Sequence, residues 1–119
     1  MVPEAETMRK ELRLRASPEE VWGALTQDLS LWFGAAAEID ARPGGAVRFR
    51  WPDGTERRGL VETCDPPRRL AFRWRELRGA GVGLSIGDVS TVEFVLEPHA
   101  GATRLTVTES PGILASAAP

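Results

Sequence analysis

The chain offers few side chains that commonly catalyse reactions or bind metals. It contains one histidine, His99, and one cysteine, Cys64. His99 lies within a turn-forming run, Pro98 to Gly101, which predicts a solvated turn residue. Cys64 ends a predicted strand without a histidine beside it, and a nucleophilic thiol needs an activating partner. A zinc site would then depend mostly on carboxylates. We expect no metal, no cofactor and no catalytic residue.

Carboxylates and arginines are plentiful, and many of them alternate with apolar residues. Such alternation predicts that they lie on the solvated face of a sheet and pair across strands. A nucleic-acid surface is the alternative, but a net charge of −2 and the acidic neighbours argue against it. The predicted charged ladder consists of Glu93, Arg48, Arg50, Arg73, Arg75 and Arg104.

Three stretches, 46–51, 70–75 and 91–96, alternate strictly and read as strands with one buried face. Further strands are expected at 8–15, 38–40, 55–64 and 103–108, with a bend at Gly59. The inward positions appear almost entirely apolar and rich in aromatic rings. They include Val47, Phe49, Trp51, Leu70, Phe72, Trp74, Val92, Phe94, Leu96, Leu105 and Val107.

Two short helices are predicted between the first and second strands. Ser17, Pro18 and Glu20 form a capping-box pattern that starts the first helix. The second is expected from Asp28 to Phe33, with Asp28 as its cap. The absence of βαβ alternation indicates an α+β fold with an antiparallel sheet.

Length and composition predict one globular domain spanning 8–110, with a flexible tail at 1–7 and a short tail at 111–119. No run of about 18 apolar residues predicts a membrane span. The acidic start does not have the pattern of a signal peptide. Together with the single cysteine, these features favour a cytoplasmic protein without nucleic-acid or membrane partners.

Five segments carry a family resemblance, and they occur in the same order: 16–26, 31–33, 39–45, 65–70 and 103–108. They resemble the homologues of the activator of heat-shock-protein ATPase, within the START-like (SRPBCC, helix-grip) superfamily. The resemblance implies a curved antiparallel sheet that grips a long C-terminal helix, with an apolar cavity between them. Only residues 112–119 follow Pro111, so we expect that long helix to be absent.

Without that helix, the apolar face needs another cover. Leaving its large side chains wet would forfeit on the order of 20 kcal/mol, more than a typical folding stability of about 5–15 kcal/mol. We therefore predict a homodimer that covers the face. The alternative is that the tail at Ile113 and Leu114 folds back and leaves a shallow pocket.

Three functions are open. The first is a non-catalytic module that binds a small hydrophobic molecule. The second, which the superfamily also contains, is a polyketide cyclase-like enzyme, which would need an acid or base projecting into the cavity. The third is an interaction domain that contacts a chaperone. The binding module ranks first because the inward positions look apolar. Its predicted ligand-binding residues are Trp32, Phe33, Phe49, Trp51, Phe72, Trp74 and Phe94.

Overall fold

The computed structural model describes residues 7–28, 34–78 and 85–112. These ranges form one helix and seven strands in a single curved antiparallel sheet, which confirms the predicted α+β class. The strand order is β1-β7-β6-β5-β4-β3-β2. The elements are β1 (Met8–Leu14), α1 (Pro18–Gln27), β2 (Ala36–Ile39), β3 (Ala46–Arg50), β4 (Glu56–Asp65), β5 (Arg69–Arg78), β6 (Ser85–His99) and β7 (Ala102–Pro111).

The start of α1 confirms the predicted capping box. The Glu20 backbone N–H donates to Ser17 Oγ at 3.2 Å, and the Ser17 N–H donates to Glu20 Oε1 at 3.1 Å. These two bonds satisfy donors that a helix start otherwise leaves unpaired. One side of α1 carries Val21 and Leu25, which are buried in the same core as the sheet. The helix is therefore attached to the sheet by its apolar face.

The second predicted helix is not confirmed. Asp28, expected to cap its start, instead terminates α1, where its N–H donates to Ala24 O at 2.8 Å. The remainder of that prediction, residues 29–33, lies outside the described ranges. No helix in those ranges is long and apolar enough to cross a membrane.

The sheet has an inner face, which shares a core with α1, and an outer face formed by the alternate residues. Successive side chains of a strand point to opposite faces, so the sequence alternation determines which residues the core receives. The inner face carries Val47, Phe49, Val61, Leu70, Phe72, Trp74, Val92, Phe94, Leu96 and Leu105, all buried.

The expectation that this face would be wet in a single chain is wrong. Phe49 and Phe72 are 0% exposed and Phe94 is 1% exposed without a second copy. Neighbouring rings pack closely, with 4.9 Å between the Phe49 and Trp74 centroids and 5.2 Å between those of Phe72 and Trp74. Burial of these rings therefore does not require a dimer. The alternative cover, at 113–114, lies outside the described ranges.

Strands β5 and β7 continue beyond their predicted ends, and the extra residues change the inner face. β5 was expected to end at Arg75 but continues to Arg78, and β7 continues past Thr108 to Pro111. The extensions place Glu76 and Glu109 within the sheet. The expectation that the inward positions are almost entirely apolar is therefore wrong at this end.

Gly59 marks a very close approach of β4 and β5. A Cβ atom built there would lie 1.7 Å from Arg73 O, so no other residue fits without a backbone shift. The register itself shifts slightly further along, between Val61 and Thr63. The predicted bend thus corresponds to a tight strand contact at Gly59 followed by a bulge, which changes the direction of a strand.

Candidate functional site

Four polar side chains from four different strands meet on the inner face, at one end of the aromatic row. We call Arg57 on β4, Glu76 on β5, Ser90 on β6 and Glu109 on β7 the inner polar cluster. The strand register brings them together. Arg57 on β4 lies between two neighbouring strands, opposite Glu76 on β5 and opposite Phe49 on β3. Pairing of β6 with β7 places Glu109 next to the row that contains Ser90.

One carboxylate oxygen is the centre of this cluster. Glu109 Oε2 accepts hydrogen bonds from Ser90 Oγ at 2.8 Å, from Trp74 Nε1 at 3.0 Å and from Arg57 Nη1 at 3.1 Å. Trp74 Nε1 also lies 3.0 Å from Ser90 Oγ. Hydrogen bonds to a charged acceptor are stronger than neutral ones, so these donors fix the position of the carboxylate.

Arg57 is held from several sides. Its guanidinium carbon lies 4.7 Å from the Trp74 ring centroid and 5.8 Å from that of Trp51, which are cation–π distances. Its Nη2 lies 4.0 Å from Glu76 Oε1, in addition to the contact with Glu109. Two carboxylates and two rings therefore compensate one positive charge. The side chain is still 30% exposed, so solvent or a ligand can reach it.

A cleft of about 210 Å³ opens onto the cluster. Two arginines and three carboxylates line it, so it has no positive excess. This volume is below the usual range for drug-sized pockets, about 300–1,000 Å³, and suits a small group. The lining residues are Arg57, Trp74, Arg75, Glu76, Gly87, Asp88, Ser90 and Glu109.

Five of the seven predicted ligand-binding residues lie in the described ranges, and the structure brings these five into one row. Phe94, Phe72 and Phe49 lie in its interior, with centroid separations of 6.1 Å for each neighbouring pair. Trp74 contacts the polar cluster through its indole nitrogen. Trp51 is half-buried, 5.9 Å from Phe49, and is the most accessible ring of the row. The other two predicted residues, Trp32 and Phe33, lie outside the described ranges.

Sequence reasoning missed the inner polar cluster, although strand parity could have found it. Glu76 follows Trp74 by two positions, and Glu109 follows Val107 by two. Ser90 precedes Val92 by two. Residues two apart on a strand share a face. Glu76 and Glu109 lie beyond the predicted strand ends at 75 and 108, so the alternation was not followed far enough to include them.

The two residues first considered for chemistry lie outside the inner polar cluster. Cys64 Sγ is half-buried and donates to Ala41 O at 3.1 Å. Burial, together with the nearby charge of Asp65, raises the pKa of this thiol, which disfavours the reactive thiolate. His99 is exposed, as predicted, but it is the last residue of β6 rather than a turn residue, and two residues with positive φ follow it. Within the described ranges, no three His, Cys, Asp or Glu side chains are grouped to hold a metal.

A protein-family model described as Activator of Hsp90 ATPase homolog 1-like protein matches residues 15–118. The chain belongs to this family. The resemblance inferred from five segments is thereby confirmed. The curved seven-stranded sheet with α1 on its inner face is consistent with the helix-grip fold of such proteins. No curated protein matches the chain significantly.

Solved structures share this fold. Protein MLL2253 from Mesorhizobium loti is 23% identical, with a TM-score of 0.71 over 91% of this chain and 78% of that one. The Aha1 dimer from Colwellia psychrerythraea is 21% identical, with a TM-score of 0.64 over 92% and 79%. DynU16, from the dynemicin biosynthetic locus, is 28% identical, with a TM-score of 0.70 over 97% of this chain and 39% of that one.

Proposed function

We propose that this member of the family is a non-catalytic module that binds a small amphipathic molecule on its inner face. The molecule would have a flat apolar body and an uncharged polar end. One observation carries the proposal: an arginine with compensated charge is fixed beside two indole rings at an open cleft. Aromatic walls with a few placed polar groups are typical of small-molecule sites.

The apolar body would contact the accessible end of the aromatic row. Trp51 is half-buried there, whereas Phe49 behind it is fully buried. Flat rings stack well on an indole, and stacked or edge-on pairs contribute about 0.5–1.5 kcal/mol beyond the area they bury. The interior phenylalanines would support this wall rather than surround the ligand.

The polar end would meet Arg57 and Glu109, and their mutual contact argues for a neutral group. The 3.1 Å ion pair already compensates the arginine, and Glu76 lies nearby at 4.0 Å. An anionic ligand bound to Arg57 would therefore face two carboxylates close to that donor, and like charges at such distances repel. A hydroxyl group can donate to a carboxylate and accept from a guanidinium, which matches this pair.

The cyclase alternative ranks lower for a different reason than sequence alone suggested. An inward carboxylate does exist at Glu109, but its Oε2 already accepts three hydrogen bonds. A general base must take up a substrate proton, and an oxygen that already accepts three hydrogen bonds has little acceptor capacity left for one. A carboxylate engaged in this way is better suited to orient a ligand than to move its protons.

The proposal can be tested with 2-naphthol, a flat neutral probe with one hydroxyl group, by isothermal titration calorimetry. We expect saturable binding that weakens by about fivefold to tenfold in Arg57→Met, because one hydrogen bond to a charged group is lost. Arg58→Met is the matched control: it removes the same group one residue away, on the outer face, and should leave the affinity unchanged.

An anionic probe tests whether the site prefers a neutral polar group. The anion 2-naphthoate has the same naphthalene ring but carries a carboxylate in place of the hydroxyl group. It should bind at least about tenfold more weakly than 2-naphthol. Tighter binding of the anion, or equal losses in the Arg57 and Arg58 variants, would contradict the proposed site. Thermal unfolding of both variants checks that a loss of binding is not a loss of folding.

A homodimer is a separate proposal. The Aha1 relative from Colwellia psychrerythraea is a dimer in solution. Burial of the aromatic row gives no further reason for one here, since a single chain already buries it. Light scattering after size-exclusion chromatography distinguishes the two states.

A further inference from the structure

The outer face of β3, β4 and β5 carries three arginines in a row across the strands. Arg48 lies directly opposite Arg58, and Arg58 lies directly opposite Arg75. Like charges at directly opposite positions destabilise a sheet. Glu56 relieves part of this repulsion, because it accepts from Arg48 Nε at 2.8 Å and from Arg58 Nε at 2.7 Å. No ion pair joins Arg75 to any residue in the described ranges.

An exposed apolar residue lies beside this row. Leu60 is 43% exposed, one of two exposed large hydrophobic residues in the described part of the chain, and it lies opposite Arg73. A depression of about 280 Å³ is located here. Three arginines and the apolar residues Leu60 and Val89 therefore line the same depression. The lining residues are Arg58, Gly59, Leu60, Arg73, Trp74, Arg75 and Val89.

We propose that this outer patch, formed by Arg58, Leu60, Arg73, Arg75 and Val89, docks an acidic segment of a partner protein that carries an apolar side chain between its carboxylates. The charges are complementary, since arginine binds carboxylates bidentately and is enriched at protein interfaces. The apolar side chain would cover Leu60. Apart from Arg75, which also lines the inner cleft, the outer patch is distinct from the small-molecule site, because its residues alternate with the inward ones along the strands.

The dimensions favour a peptide segment over a small inorganic anion. Neighbouring strands lie about 4.8 Å apart, so the arginine row on three strands spans about 10 Å. A single phosphate group is too small to contact the whole row at once. The patch is also bounded: Glu38 lies opposite Arg48 at one end of the row, and Glu62 lies 3.3 Å from Arg73. These carboxylates disfavour a polyanion that extends beyond the patch, such as nucleic acid.

The test uses a short fluorescein-labelled peptide in which Glu and Asp residues flank two Leu residues. Two comparison peptides replace the acidic residues by Lys or the Leu residues by Ser. Fluorescence anisotropy should show saturable binding of the first peptide and weaker binding at higher salt. Both comparison peptides should bind at least about tenfold more weakly.

Variants locate the binding on the sheet. Arg58→Ala combined with Arg73→Ala should weaken binding by about tenfold, and Leu60→Ser by about threefold. Arg75 is not substituted, because it also lines the inner cleft. Arg13→Ala is the matched control: it removes an exposed arginine from the outer face of the edge strand β1 and should leave the affinity unchanged. Circular dichroism confirms folding of each variant.

Several outcomes would overturn the proposal. These are no saturable binding, equal affinity for the Lys peptide or the Ser peptide, or an equal loss in Arg13→Ala. Displacement of the peptide by a short DNA duplex of equal or higher affinity would assign the patch to nucleic acid. A dimer in analytical ultracentrifugation that the Arg58 and Arg73 substitutions dissociate would assign it to a second copy of the chain.

Discussion

Arg57 and Arg58 are consecutive residues with the same side chain, and they differ in almost everything else. Arg57 points to the inner face, contacts two indole rings and has carboxylates at 3.1 and 4.0 Å. Arg58 points to the outer face, is 55% exposed and shares the single carboxylate of Glu56 with another arginine. Strand alternation alone separates these two environments.

The two proposed sites differ in how far the protein itself compensates the arginine charge, rather than in residue type. On the inner face the arginine is neutralised within the protein, so a neutral polar group is its best partner. On the outer face three arginines share too few carboxylates, so an acidic partner is favoured. The same residue type thus predicts two ligand classes at neighbouring positions.

The largest expected difference between the faces concerns stability. Phe72 is fully buried in the aromatic row, and Phe72→Ala should lower the free energy of unfolding by about 3–5 kcal/mol because it leaves a cavity. Arg73→Ala, one residue away on the outer face, should cost at most about 1 kcal/mol because its ion pair is exposed. Urea unfolding measures both. Similar losses would contradict the assignment of the two faces.

An intermediate effect should appear at the inner polar cluster. Trp74→Phe keeps an aromatic ring but removes the donor to Glu109 and Ser90, and should cost about 1–3 kcal/mol. The double variant Trp74→Phe with Glu109→Gln should lose less stability than the two single variants together, because both substitutions disrupt the same Trp74–Glu109 hydrogen bond. Strict additivity in urea unfolding would show that the cluster is not a unit.

The smallest effect is expected at Glu56 on the outer face. Hydrogen bonds, first from Arg58 and then from Arg48, hold the pKa of this carboxyl below its ordinary value. A lowered pKa in the folded state stabilises the protein above the ordinary pKa, and this contribution is lost as the pH falls through the lowered value.

Glu56→Gln should therefore lower the thermal midpoint slightly at neutral pH, whereas wild type and variant should converge in strong acid. A difference that grows in acid would contradict this sign. The same substitution leaves the arginine row less compensated, so it should also strengthen binding of the acidic peptide. Glu97→Gln, on the outer face but near Arg104, is the control for a general charge effect.

Much of the fold follows from the sequence, because the relevant signals are local. Alternation in 46–51, 70–75 and 91–96 predicted strands that the structure contains, and Ser17 with Glu20 predicted the start of α1. The inner aromatic row follows from the same alternation. These signals depend on the chemistry of residues a few positions apart, which the sequence displays directly.

The polar end of the site was missed because polarity was equated with the outer face. Beyond Arg75 the pattern inverts, with Glu76 inward and Leu77 outward, so periodicity no longer marked a strand. The donors that make an inward carboxylate acceptable come from β4, β5 and β6, far apart in sequence. Burial of the aromatic row in a single chain was missed for a similar reason, since its rings share one core with the distant residues Val21 and Leu25 of α1.

The central claim is that the inner polar cluster and the aromatic row form one ligand site, separate from the outer face. The most direct measurement is nuclear magnetic resonance of the ¹⁵N-labelled chain during titration with 2-naphthol. The account predicts that the indole N–H signals of Trp74 and Trp51 shift saturably while the amides of Arg58 and Leu60 remain unchanged. Unchanged indole signals, with shifts confined to the outer face, would contradict it.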